Sequence, residues 1–382
     1  MTDLQERIGR ALAAELPAAV ALRHRLHADP HPSGAEGPTC TAALEALDWG
    51  PGEPVAGTGA LVAPSPGGVA LRAELDGLPV VELTDVPWRA TGTAMHACGH
   101  DVHIAGAVAA ARAIAAADPP VPVAVLLQPR EETPPSGARD VVESGVLERH
   151  GVRAVVAAHV QPQLPPGVVN VTAGVVNASV DEFEIVVHGH GGHAGYPHTV
   201  RDPVLAAAAV VLALQQLVAR RVDPVHGAVC TIGRIDAGTV ANVVPDHARL
   251  LGTLRAMDPQ DRVALLTALR EVATSTAAAY GCSAEVAPRS GEPAVVNDSE
   301  LATLTAMQLE TAGIPTDTVW RSFGSDDFSY YGAALPSLMA FVGVDGGAGL
   351  HEPRFLPPDG TVALVARSLV AEYLAATVAL TS

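Results

Sequence analysis

Nine consecutive residues, Met95-His96-Ala97-Cys98-Gly99-His100-Asp101-Val102-His103, hold three histidines, one cysteine and one aspartate. Thiolate and imidazole are ligands suited to zinc and other late first-row divalent metals. Gly99 lets the chain turn sharply, so Cys98 and His100 can face one ion. Further along, Leu126-Leu127-Gln128-Pro129-Arg130-Glu131-Glu132 sets two adjacent carboxylates after an apolar run. In such a pair one carboxylate can bind metal while its neighbour points at the bound water. Hydrolysis needs that division, because the metal lowers the water pKa and a free carboxylate takes the proton. His159 ends the apolar run Ala154–Ala158, and His351 follows Phe341–Val344 and a glycine-rich loop. Asp76 follows Leu71–Leu75, where a carboxylate can orient a ligating imidazole from behind. A lone histidine or a Glu-Glu pair is ordinarily structural or surface. Their repetition at strand ends is what points to one site. In the stretch His188–His198, glycines alternate with histidines, which reads as a separate metal loop or as a lid presenting one His to a substrate. Asn242 and Arg255 are further polar candidates. A thiol hydrolase with Cys98 as nucleophile would leave Glu131, Glu132, His159 and His351 without a task.

These residues need elements to place them. Gly68–Arg72, Pro122–Leu127, Ala154–Val160 and Ser337–Val342 read as strands, and Ile104–Ala117, Leu301–Ala312 and Thr361–Ala376 as helices. Alternating strands and helices predict an α/β domain with a mixed, largely parallel sheet and helices on both faces. Between them lies a second pattern. Asp181–His188 is strand-like, Pro203–Val222 helical, Ala228–Ile235 and Ala248–Met257 strand-like, Pro259–Tyr280 helical, and Ser283–Ala287 strand-like. That βαββαβ order is the split ferredoxin-like unit. The expected division is a discontinuous catalytic domain, 1–179 with 289–382, carrying an inserted lid or dimerisation domain at 180–288.

Composition removes several function classes. The chain of 382 residues has a formal net charge of −18, which opposes a nucleic-acid or anionic-membrane surface. It contains no lysine, so pyridoxal aldimines, Schiff-base catalysis and a P-loop lysine are excluded. The apolar stretches are shorter than the roughly 18–20 residues of a membrane span. The start, MTDLQERIGRALAAEL, reads as an amphipathic helix and not as a signal peptide. With four dispersed cysteines, the expectation is a cytoplasmic protein with reduced thiols.

Taken in order, the segments LRAELDGLP, MHACGHDVH, QPREE, AHVQP, GHGGHAGYPH, NVVPD with GTLR, GSDDFSYY and LHEPRF resemble the aminoacylase, hippurate hydrolase and auxin-conjugate hydrolase group of dinuclear metallopeptidases. The resemblance runs from about Arg23 to Phe355. It implies two divalent ions (Zn, Mn, Co or Ni) held by Cys98, His100, Glu132, His159 and His351, with Glu131 as general base and Asp76 as the orienting carboxylate. His193 would stabilise the oxyanion, from the same chain or from the partner of a homodimer formed through the inserted domain. Asn242 and Arg255 would contact the substrate, a small N-acylated amino acid or similar amide. A dipeptidase or carboxypeptidase, or a non-catalytic metal-binding relative, is the alternative. The chain departs from the family pattern at four places. Glu74 stands where Asp is usual, His190 where Lys is usual, and His31 replaces a usual Glu. Thr133-Pro134-Pro135-Ser136 replaces a glycine-rich stretch.

Overall fold

The computed structural model describes residues 2–382. It divides into two compact units. One comprises residues through Gly174 together with Val296–Trp320 and Asp327–Ser382; the other comprises Val175–Val295 and Arg321–Asp326. The breaks fall several residues outside 180–288, and a short later segment, 321–326, joins the inserted unit.

The first unit is built on an eight-stranded sheet. Its four inner strands, in spatial order Val123–Gln128, Gly68–Glu74, Val152–Gln161 and Ser337–Gly343, all run parallel. Edge strands on both sides add antiparallel pairings, so the sheet is mixed and largely parallel at its centre. The inner strands are buried along almost their whole length, which is why they read as continuous apolar runs without alternation. On one face Val69, Leu71, Ala73, Val125, Val156 and Ala158 join the main core with the helices Thr2–Ala28, His100–Ala116, Ser299–Thr311 and Gly360–Thr381. The alternate residues, which include Arg72, Glu74, Gln128 and His159, point to the other face. That face is therefore unusually polar for a buried sheet.

The helix Gly360–Thr381 is long and apolar enough to cross a membrane, but 72% of its apolar window is buried inside the fold. It is a core helix, packed on the helices His100–Ala116 and Ser299–Thr311 and on the strand Val152–Gln161. The first helix shows why its amphipathic reading works. Leu4, Ile8, Leu12, Ala19, Leu22 and Leu26 are buried at helical spacing.

The second unit holds a four-stranded antiparallel sheet in spatial order Ala228–Ala237, His247–Ala256, Ser179–His188, Ser283–Ser290. Helices Pro203–Leu214 and Pro259–Ala279 close its core. The expected single helix Pro203–Val222 is instead two, Pro203–Leu214 and Gln216–Arg221, joined at Gln215. A ribbon absent from the sequence reading pairs Gly192–His193 with Val243–Val244. Two-residue strands are too short to show a period.

Candidate metal centre

Parallel strands place their carboxyl ends on one edge of the sheet, and the candidate residues gather there. Asp76 lies just past Gly68–Glu74, Glu131 and Glu132 just past Val123–Gln128, and His159 near the end of Val152–Gln161. His351 follows Ser337–Gly343 in a loop, at φ 65°. Cys98 and His100 flank the start of the helix His100–Ala116. Gly99 is obligatory between them. Its φ is 87°, and a Cβ there would lie 2.5 Å from Val160 Cγ2.

Two histidines are locked in one tautomer by backbone carbonyls. His100 Nδ1 donates to the Asp76 carbonyl at 2.7 Å, and His159 Nδ1 donates to the Val160 carbonyl at 2.7 Å. In its neutral form, the form a cation binds, each ring then turns a bare Nε2 into the site. His159 Nε2 lies 3.5 Å from Cys98 Sγ. His100 Nε2 lies 3.8 Å from both Glu131 Oε2 and Glu132 Oε1, and His351 Nε2 is 3.5 Å from Glu132 Oε2. Cys98, His100 and Glu132 offer ligand atoms all within 4.8 Å of one another. Among them, His100 Nε2 and Glu132 Oε1 are buried with no hydrogen-bond partner. Buried polar atoms are nearly always satisfied, so this soft-and-hard donor set fits a divalent cation. His351 is the exposed member, about half accessible.

The electrostatics agree. Burial, then the facing carboxylates of Glu132 and Glu131, push the Cys98 thiol well above its usual range. A thiol so disfavoured as an anion is a poor nucleophile and becomes a thiolate only beside a cation. Burial alone would lower His100, yet Asp76, Glu74 and Glu132 raise it to about 10. The pocket thus carries a strong negative field. Burial holds Glu132 above the normal carboxylate range against the pull of His100 and His351.

Asp76 acts on the cluster in more than one way. Its carbonyl fixes His100, while its carboxylate accepts from Ser33 Oγ at 2.7 Å and from the Glu132 N–H at 2.9 Å. His103, although in the same motif, has both nitrogens occupied. Nδ1 donates to Glu74 Oε2 at 3.0 Å, and Nε2 accepts the Val160 N–H at 2.9 Å. It supports the strand end that carries His159. Glu74 in turn pairs with Arg72. Burial opposes its ionisation, but Arg72 and His103 hold its carboxyl well below the ordinary range. Arg72 also donates to Gln128 and to Asp327, at 2.8 and 2.9 Å. Sequence reasoning missed this buried network. The one available signal was His103, three residues after His100 and so on the same helix face.

The remaining candidates lie in the inserted unit. His193 is exposed in the small ribbon, where its Nδ1 accepts the Gly195 N–H at 2.9 Å, leaving Nε2 to carry the proton. Asn242 adjoins it, its carbonyl accepting the Ala194 N–H at 3.1 Å. Arg255 sits on the central strand His247–Ala256 and donates to the Phe323 carbonyl at 2.7 Å.

Residues 70–370 match the model of peptidase family M20/M25/M40. The chain belongs to that family. It is 38% identical over 291 residues to an N-acetylcysteine deacetylase of Bacillus subtilis, covering 75% of this chain and 76% of that one. It is 35% identical over 296 residues to an N-acetyldiaminopimelate deacetylase of a Geobacillus species, covering 77% and 78%. Among solved structures, a Bacillus subtilis dinuclear metal-binding peptidase of the M20 family superposes with a TM-score of 0.83 at 31% identity, over 97% of this chain and 99% of that one. The M20/M25/M40 match spans every segment on the sheet edge described above, from Asp76 to His351.

Proposed function

We propose that this M20 protein hydrolyses the amide bond of small N-acylated amino acids, using two divalent metal ions. The observation that carries the metal reading is the pair of orphaned buried atoms, His100 Nε2 and Glu132 Oε1, beside Cys98. The names of the relatives supply the substrate class. Cys98, His100, Glu132, His159 and His351 would hold the ions. When bound, the ions supply Lewis acidity toward the acyl oxygen and toward water. Glu131, beside the ligand set, takes the proton from the attacking water and delivers it to the leaving amine. His193, with its proton on Nε2, stabilises the oxyanion. Asn242 and Arg255 contact the substrate, with Arg255 suited to a carboxylate.

The inserted unit serves as lid and pairing surface in this reading. The helix Pro203–Leu214 has no charged residue, yet Val204, Leu205 and Leu212 on it are exposed, as are Tyr196, Val240 and Val243 in the same unit. An apolar surface of this kind supports a homodimer. The four cysteines are free thiols, which supports a cytoplasmic location.

The test is a panel of N-acetyl, N-benzoyl and long-chain acyl amino acids, offered to stripped protein with and without Zn, Mn, Co or Ni. Amine release restored by metal is expected. A fully reloaded protein that turns over no member would overturn the reading.

A further inference from the structure

The residue immediately before Glu131 has an unusual backbone. Arg130 lies at φ 53°, a left-handed conformation that a residue with a Cβ rarely adopts. It is held there from three sides. The Arg130 N–H donates to Glu36 Oε1 at 2.9 Å. Its carbonyl accepts the Gly137 N–H at 3.0 Å. Its guanidinium donates to the Ala56 carbonyl at 3.1 Å and to Asp140 at 2.5 Å. Glu36 is fully buried, and its other oxygen accepts from Thr58 Oγ1 at 2.6 Å. On the far side of Glu131, the Glu132 N–H is taken by Asp76. Glu131 therefore sits between two backbone amides, each bonded to a different buried carboxylate.

Neither bond is needed to form the preceding strand, which ends at Gln128. Strained conformations persist where the surroundings over-determine them, and they concentrate at functional sites. A general base must come within roughly 2.6–3.2 Å of the proton it takes, and a misplacement of about 1 Å costs on the order of 100-fold. A turn that would otherwise relax toward the right-handed region would swing the next residue away from that position.

We propose that Glu36 is a positioning residue for Glu131: it holds Arg130 in the left-handed turn that aims the Glu131 carboxylate, without touching metal or substrate. The proposal rests on Glu131 being the base. Glu36 comes from the segment leading into the helix Gly37–Leu47, 94 residues earlier in the chain. The amide that Glu36 grips belongs to Arg130, so its influence on the site runs through the backbone.

The experiment uses the metal-loaded protein with Glu36→Ala, Glu36→Gln and Glu131→Gln, and the Glu36→Ala/Glu131→Gln double variant. Glu36→Ala is expected to keep its ions and its KM while kcat falls ~10- to 100-fold. Glu36→Gln, whose amide oxygen still accepts the Arg130 N–H, recovers most of the rate. In the Glu131→Gln background, Glu36→Ala produces no further loss, because the group it aims is no longer a base. Wild-type kcat in folded Glu36→Ala, or an equal loss in both backgrounds, overturns the proposal. Full kcat in Glu131→Gln alone overturns the base assignment instead. Where Glu36→Ala does not fold, Glu36→Asp withdraws the acceptor by one methylene and is read in the same way.

Discussion

Cys98 shows how far residue chemistry depends on surroundings. Burial and two facing glutamates keep it a neutral thiol unless a cation is present. A coordinated thiolate is shielded from reagents. The metal-loaded protein is therefore expected to resist alkylation at Cys98 by at least tenfold relative to stripped protein, read by mass spectrometry of the modified peptide (~10-fold or more). Equal rates in the two forms would remove Cys98 from the ligand set. The residues whose types announce their chemistry (Cys98, His100, Glu131, Glu132, His159, His351) could be picked out because they cluster in short motifs or end apolar runs. Glu36, Arg72 and Asp327 could not. They bond to side chains far off in sequence, or to backbone amides that no residue type reveals. His103 was visible in the motif, but its role depends on both ring nitrogens being occupied, which spacing does not disclose.

Among elements, the link between the helices Thr2–Ala28 and His100–Ala116 carries a titratable lock. His27 Nδ1 is 3.0 Å from Asp101 Oδ2, and its Nε2 is 3.1 Å from Glu82 Oε1. Arg23 donates to the same Asp101 at 3.2 Å. Burial alone would lower His27, but Asp101 and Glu82 outweigh it and raise the imidazole from 6.5 to about 9. A group with a raised folded pKa contributes fully below its unfolded value and loses that contribution as pH climbs through the folded one. The stability of the metal-loaded protein should therefore fall between about pH 6.5 and 9.5, by at most roughly 3 kcal/mol from this group. Urea unfolding of His27→Gln should show a flatter slope over that window and lower stability at pH 6. An identical slope would show that His27 is not the titrating lock. Most elements were legible because hydrophobic runs of adequate length mark the strands, and helix caps such as Asp202 and Asp258 precede Pro203 and Pro259. The break at Gln215 was not, since Ala- and Leu-rich sequence continues straight through it.

For the whole molecule, two units with separate cores follow from the two patterns in the sequence, although the loops that divide them carry no sharp compositional signal. The exposed apolar helix face in the inserted unit predicts self-association. Light scattering should give about twice the 39.0 kDa chain mass for the native protein. Leu212→Glu should return it toward one chain. A native monomer would remove the pairing surface. The central claim is that Glu132 holds metal while adjacent Glu131 moves the proton. It is tested most directly by titrating divalent ion into stripped wild type, Glu131→Gln and Glu132→Gln while counting bound ions and measuring turnover. Wild type should saturate at two ions per chain with full rate. Glu131→Gln should bind the same two ions with turnover reduced roughly 100- to 10,000-fold, the scale of a lost general base, and Glu132→Gln should bind fewer. Equal loss of metal in the two variants, or turnover that survives stripping, would contradict the account.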